Sequence, residues 1–412
     1  MKKINSHCLR VLGLLPVMLI IVLSSCKEGD SFIDPVSTDN TKPGTITNIE
    51  VHNFNGGAYI TYDLPESSNV LYVQAQYNIN DSKSRQTKSS YYSDTITVSG
   101  FAKSAPYEVT LHCVSRANVK SDPVVVTVNP DTPPYLLLAP TLALNPDFGG
   151  VNIRAINVLK QPIGLVLMAY DSSTSQFEIV DQHFTSVDTI DYSIRGYEDV
   201  STEFRLYITD QFGNISETIS QTLTPFFEKF LDKNLFFVYN LPSDSKIGYG
   251  WSLPYLWDGK TDGYSNGWHT EPGGSLPMVL TSALGVSANL SRFILWERPD
   301  SWSYAHGNPK NFTLWGSDKA SPQDAVLPRY SSVGTVVGDW TNLANYHFPD
   351  PPSGSPPGSA NAQDAAFVAA GVNFNVPISS PAVKFIRISV ADTWSGGDFA
   401  HAMEISLYGN PN

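Results

Sequence analysis

The sequence predicts an all-β chain of three consecutive domains behind a secretory leader. Three observations carry this. Short runs alternate apolar and polar residues and are separated by turn clusters, fed by 29 glycines and 29 prolines in 412 residues; that is the pattern of strands joined by turns. No long stretch repeats its apolar residues at helical spacing. One segment recurs 93 residues after its first appearance, whereas all eight tryptophans lie beyond residue 231, so the last part of the chain differs in kind from the repeated part.

At the N-terminus, Lys2, Lys3 and Arg10 precede an apolar run over residues 11–23. A basic start and an apolar run too short for a comfortable bilayer span read as a signal peptide, residues 1–25. The run ends Leu23-Ser24-Ser25-Cys26, which resembles a bacterial lipobox. That resemblance implies lipidation of Cys26, and several acyl chains on one residue anchor stably where a single chain is marginal. Lys27, Glu28 and Asp30 follow and resemble the signal that sends Bacteroidetes-type lipoproteins to the outer face of the outer membrane. Residues 26–44 read as a polar stalk. Cys8 leaves with the signal, so Cys113 is the one thiol left in the mature domains and no internal disulfide is expected. Loss of Lys2, Lys3 and Arg10, with no acid lost, takes the net charge from −13 to −16. Such an acidic chain is a poor partner for nucleic acid or for polyanions in general.

The repeat begins with Gly56-Gly57-Ala58-Tyr59-Ile60, echoed by Gly149-Gly150-Val151-Asn152-Ile153. VLYVQAQY (70–77) is echoed by IGLVLMAY (163–170), and Asp94-Thr95-Ile96 by Asp188-Thr189-Ile190. A period of this length fits one immunoglobulin-like or fibronectin III-like sandwich of about seven strands. The expected domains are 45–130 and 131–230, joined by a stiff PDTPP linker at 130–134. TKPGTIT (41–47) resembles the start of a fibronectin type III-like module of Bacteroidetes surface lipoproteins, and DQFGNIS (210–216) resembles a turn of the related immunoglobulin-like domain. Cys113 lies in an alternating run and reads as a small buried hydrophobe. Neither copy carries a convergent set of His, Cys or carboxylates, so both read as spacers.

The third domain is expected over 231–412. Strands are read at 278–281, at 290–298 with Phe293 and Leu295 on one face, at 311–315, at 384–390 with Ile386, Ile388 and Val390 on one face, and at 402–408. In the last, Met403, Ile405 and Leu407 point inward, so Glu404 is expected on the opposite side. The Pro/Gly/Ala-rich stretch between Trp340 and Gly371 reads as loop, as does 256–271, LWDGKTDGYSNGWHTE. The order LWDG…GWHT, WER…NPKNFTLWGSD, VKFIRISV…W…HAMEISLYG over 241–409 resembles the discoidin, or coagulation-factor C-type, family. The fold implied is the galactose-binding-like jelly roll shared with many carbohydrate-binding modules. The whole chain is similar to surface lipoproteins of glycan-utilisation loci that pair two small sandwiches with such a domain.

Asp258-Gly259 and Asp262-Gly263 read as tight turns, and an Asp-rich loop offers oxygens to a hard cation. The resemblance implies a structural calcium held by Asp258, Asp262 and Glu404. It also places Thr before the tryptophan where this chain has Gly267. Sugar recognition needs an aromatic face against the C–H face of a pyranose and planar polar groups for its hydroxyls. The loop DSWSYAHGN (300–308) supplies Trp302, Tyr304, His306 and Asn308, and DTWSGGDFAH (392–401) supplies Trp394, Phe399 and His401. Trp302 and Trp394 sit in turn-like sequence and are expected at the surface, while Trp296 and Trp315 are expected in the core. No spacing marks a carboxylate pair, nucleophile elbow, H-E-x-x-H or phosphate loop. The expectation is a non-catalytic, surface-anchored glycan-binding lipoprotein working beside a transporter and surface enzymes. A protein-binding adhesin or assembly scaffold at the outer membrane is the alternative.

Overall fold

A computed structural model describes residues 37–264 and 267–411. The signal at 1–25, the lipidation site Cys26, the residues Lys27, Glu28 and Asp30, and the stalk before residue 37 lie outside the described residues. The described chain is almost entirely β, and none of its helices is long and apolar enough to cross a membrane. It forms two compact units: the first sandwich and the segment Thr209–Ile215 belong to one, and the rest of the second sandwich and the C-terminal domain belong to the other.

The first sandwich contains β1 (Thr47–Phe54), β2 (Gly57–Asp63), β3 (Val70–Asn78), β4 (Ser84–Ser90), β5 (Thr95–Ser99), β6 (Tyr107–Ser115) and β7 (Val124–Val128). Its sheets have the orders β1-β2-β5 and β4-β3-β6-β7. The second contains β8 (Ala143–Asp147), β9 (Gly150–Ile156), β10 (Ile163–Asp171), β11 (Gln176–Thr185), β12 (Thr189–Arg195), β13 (Thr202–Asp210) and β14 (Ile219–Leu223). Its sheets, β8-β9-β12 and β11-β10-β13-β14, repeat the first topology. Alternation sets the burial: in β2, Ala58, Ile60 and Tyr62 are buried while Tyr59 faces solvent.

The repeated Gly-Gly pair has a backbone cause. Gly56 and Gly149 close the β1–β2 and β8–β9 hairpins at φ +74° and +60°, a region that glycine enters without steric cost. The next glycine has no room for a side chain: a Cβ at Gly57 would lie 2.6 Å from Val98 O, and one at Gly150 would lie 1.8 Å from Ile194 O. Cys113 is buried in the first core, and burial pushes its thiol up to about 11. The stiff stretch at 130–134 runs into a short helix, Pro134–Leu138, with proline tolerated at the first helical position.

The C-terminal domain adds β15 (Lys229–Phe230), β16 (Phe237–Val238), β17 (Trp268–His269), β18 (Met278–Trp296), β19 (Pro309–Ser317), β20 (Val336–Val337), β21 (Trp340–His347), β22 (Val372–Asn375), β23 (Val383–Thr393), β24 (His401–Ala402) and β25 (Glu404–Pro411). The stretches read separately at 278–281 and 290–298 belong to one strand, β18. Its first half pairs with β23 and its second with β25, with the register shifting between Ala283 and Ala288. Gly285, at φ +68°, lies in that shift, where a Cβ would meet Leu235 O at 2.2 Å. This single bent strand joins the two layers of the jelly roll around a core that includes Leu290, Phe293, Leu314, Ile388 and Ile405.

Three expectations are corrected here. The stretch between Trp340 and Gly371 begins in strand β21 and holds a helix, Ala362–Ala370, started by a capping box in which Asn361 and Asp364 satisfy each other's backbone N–H groups. The loop at 256–271 begins in a 3-10 turn, Leu253–Trp257, and ends in strand β17. Glu404 is buried, because both faces of β25 are covered. β23 is likewise covered on both sides. Ile386, Ile388 and Val390 enter the main core, while Phe385 joins Trp315, Trp340 and Leu327 in a second cluster. Trp315 is fully buried as expected, and Trp296 is half-buried.

Candidate functional site

The loops at one end of the jelly roll converge. Residues 297–308 connect β18 to β19, and 394–400 connect β23 to β24. β24 pairs with β17, so His401 lies opposite His269. Asn308 staples the first loop: its Oδ1 accepts from Arg298 N–H at 3.0 Å, and its Nδ2 donates to Arg298 O and Trp302 O, each at 2.9 Å. Backbone bonds sew the two loops together, Trp394 N–H to Asn308 O, Ser395 N–H to His306 O and His401 N–H to Gly307 O. Asp300, Tyr304 and His306 all hold positive φ, at 58°, 54° and 54°. Left-handed backbone at non-glycine residues costs energy and concentrates where side chains must be aimed.

The result is an aromatic face around one guanidinium. The Arg298 guanidinium stacks 3.6 Å over the Trp302 ring and lies 5.5 Å from Trp251, while its Nε donates to Gly263 O at 3.0 Å. The Phe399 and His269 rings are parallel to within 2° with centroids 5.6 Å apart, and His306 meets Phe399 edge-on at 4.7 Å. Tyr249 and Trp251 stand edge-on to His269 at 4.8 and 5.1 Å. Tyr249 and His306 are exposed, and Trp251, Trp302, Phe399 and Arg298 are half-buried. His269, His306 and His401 titrate below the ordinary histidine range, because burial removes water from the charged form; for His401, the neighbouring imidazoles and Arg298 add to this.

The residues predicted from sequence divide into a surface set and a supporting set. Trp302, His306 and Phe399 reach the open face. Tyr304, Asn308, Trp394 and His401 are buried beneath it. Tyr304 packs on Trp394 and Phe348. Trp394, expected at the surface, is covered by this contact and by Lys310, whose ammonium lies 5.0 Å from its ring. Tyr249, Trp251, His269 and Arg298 complete the face and were not among the predicted sugar contacts. The aromatic residues beside glycines in Gly-Tyr-Gly-Trp (248–251) were the available signal.

The loop carboxylates lie apart from this face in their bonding. Glu404 is ion-paired with Lys233 Nζ through Oε1, and its Oε2 accepts from Gly259 N–H at 2.7 Å. Asp258 accepts from Lys260 N–H at 2.9 Å and pairs with the Lys260 ammonium at 3.3 Å; Asp262 accepts from Tyr264 N–H at 3.0 Å. Burial pushes the Glu404 carboxyl up against the opposing pull of Lys233. Gly267 has a steric reason to replace threonine, since a Cβ there would lie 2.2 Å from Ala402 O.

None of the curated proteins compared with the chain matches it. Among solved structures, a SusE-like protein is 29% identical over 68% of this chain and all of its own, with a TM-score of 0.43. A family 32 carbohydrate-binding module of a Clostridium perfringens family 31 glycoside hydrolase is 14% identical, covering 44% of this chain and 95% of its own at TM-score 0.32. A two-domain fibronectin type III segment of chicken tenascin is 12% identical, covering 44% and 99% at TM-score 0.21. Three family models match in tandem, DUF4959 over residues 43–130, DUF5126 over 131–234 and DUF5000 over 257–409, each described as a domain of unknown function.

Proposed function

We propose that this chain is a non-catalytic, surface-anchored glycan-binding lipoprotein that holds oligo- or polysaccharide for a glycan-utilisation system. The observation that carries the reading is the face made by Trp302, Arg298, Trp251 and Phe399. The Trp302 indole stacks under the guanidinium with Trp251 further off at 5.5 Å, and the half-buried Phe399 ring, stacked on His269, offers a pyranose an apolar platform. Arg298 and His306 supply planar donors for hydroxyls. The SusE-like neighbour and the carbohydrate-binding module neighbours agree with this assignment without carrying it. Anchorage through Cys26 and display at the outer membrane follow from the leader. The two N-terminal sandwiches serve as spacers, with transporter and enzymes of the same system as partners. A shallow site orders few groups, so single-site affinity is weak and avidity at a crowded surface supplies retention.

The test is a glycan array or affinity gel with the chain lacking its anchor, beside Trp302→Ala and Phe399→Ala. Loss of retardation in both variants is expected. Undiminished binding in both removes this face as the site. A recovered protein partner with no glycan bound favours an adhesin or scaffold, and turnover of a bound oligosaccharide overturns the non-catalytic assignment.

A further inference from the structure

We infer that His269, His306 and His401 form a binding site for one borderline-soft divalent metal ion, zinc being the best match to three imidazoles. One ring nitrogen from each of the three lies within 4.8 Å of the other two. The inference does not depend on what the neighbouring aromatic face binds.

The hydrogen bonds fix where the lone pairs are. His269 Nδ1 lies 2.8 Å from Thr270 O; a carbonyl only accepts, so Nδ1 carries the proton and Nε2 is left as a free donor to a metal. An imidazole oriented through a backbone carbonyl in this way is the usual arrangement of a metal-binding histidine. His401 Nε2 receives Gly307 N–H at 3.2 Å, so it is unprotonated as well, and its proton sits on Nδ1, which is buried without a partner. His306 Nδ1, 2.8 Å from His401 Nε2, must then be the donor between them. Ligation needs only that His306 move its proton from Nδ1 to Nε2. No proton is lost to solvent, and the long bond from Gly307 is given up.

The geometry is close to what zinc requires. Zinc–nitrogen distances of about 2.0–2.1 Å put tetrahedral ligands roughly 3.4 Å apart. His306 and His401 are closer than this, and the widest gap must close by about 1.4 Å. His306 is exposed, while His269 and His401 are held by the β17–β24 pair. Gly307 leaves the space open, since a Cβ there would crowd Phe399 at 2.8 Å and His401 at 2.9 Å. Three protein ligands leave a fourth position for water or a ligand atom. The Arg298 charge opposes the ion, so affinity is moderate and rises when that charge is removed.

The test is zinc titration of the anchor-free chain by calorimetry, with cobalt(II) as a spectroscopic stand-in and no glycan present. One ion per chain is expected, with affinity falling by at least about 10-fold in His306→Ala and in His269→Gln. His306 is exposed, and the melting curve of its variant without metal checks that the variant is folded. Arg298→Met should tighten binding. No saturable zinc binding by the native chain, or affinity unchanged in both histidine variants, overturns the site.

Discussion

The Asn308 side chain grips the backbone of Arg298 from both sides, accepting from its N–H at 3.0 Å and donating to its carbonyl at 2.9 Å. The same amide reaches Trp302 O. One fully buried residue thus fixes the two side chains, Arg298 and Trp302, that stack at the open face.

Asn308→Ala should therefore weaken fold and site together. It leaves the Arg298 N–H and carbonyl without this partner, while Trp302 O keeps the Ala305 N–H, a cost of about 1–3 kcal/mol. Chemical denaturation should show that loss, and ligand retention should fall further than in Tyr249→Phe, which keeps the ring. Unchanged stability in Asn308→Ala would separate the staple from the loop's conformation.

What the sequence could disclose follows from how local each cause is. The repeat was legible because Gly56 and Gly149 act within their own hairpins. The buried face of β18 was legible because Phe293 and Leu295 alternate with half-buried Arg292 and Ile294. Burial of β23 on both faces was not, because Phe385 and Arg387 are covered by residues such as Leu327 and Ala325 from the connection between β19 and β20. Glu404 escaped for the same reason. At the site, the two aromatic loops were visible in sequence, but the split between surface and support was not. That split depends on the Asn308 staple and on left-handed Tyr304 and His306. It also depends on β17 bringing His269 across to His401.

Calcium at Asp258, Asp262 and Glu404 is proposed as a competitor of Lys233. The Lys233 ammonium already sits on Glu404 Oε1, so an ion entering there must displace it. Lys233→Ala should enlarge the rise in melting temperature that calcium gives over chelator, following RT ln(1 + [L]/Kd). Identical melting curves with calcium and with chelator in both chains would remove calcium from this loop.

The histidine cluster predicts an acid limb of stability. His269, His306 and His401 hold folded values below their unfolded ones, His401 well below. The unfolded chain therefore binds more protons as pH falls. Their contribution is complete above the unfolded value of about 6.5 and is lost as pH drops through the folded values. Melting temperature should fall as pH is lowered below about 6.5, and His401→Gln should flatten that fall. A native melting temperature that does not change between neutral and mildly acid pH would contradict the burial of His269 and His401.

Glu297 predicts the opposite limb. It is fully buried between Trp296 and Arg298 in sequence, and neither carboxyl oxygen has a hydrogen-bond partner among the described residues. Burial alone pushes its carboxyl well above the ordinary range, so the acid is held neutral. A raised folded value means that the folded chain keeps a proton the unfolded chain has released. The stability tied to that proton is complete below the unfolded value of about 4.3 and is lost as pH rises through the folded value. Glu297→Gln has the shape of the protonated acid but nothing to ionise. Its melting temperature should hold level with rising pH where that of the native chain declines, and the two curves should approach each other at low pH. Parallel decline of both chains toward alkaline pH would show that Glu297 ionises without cost and is solvated in the folded protein.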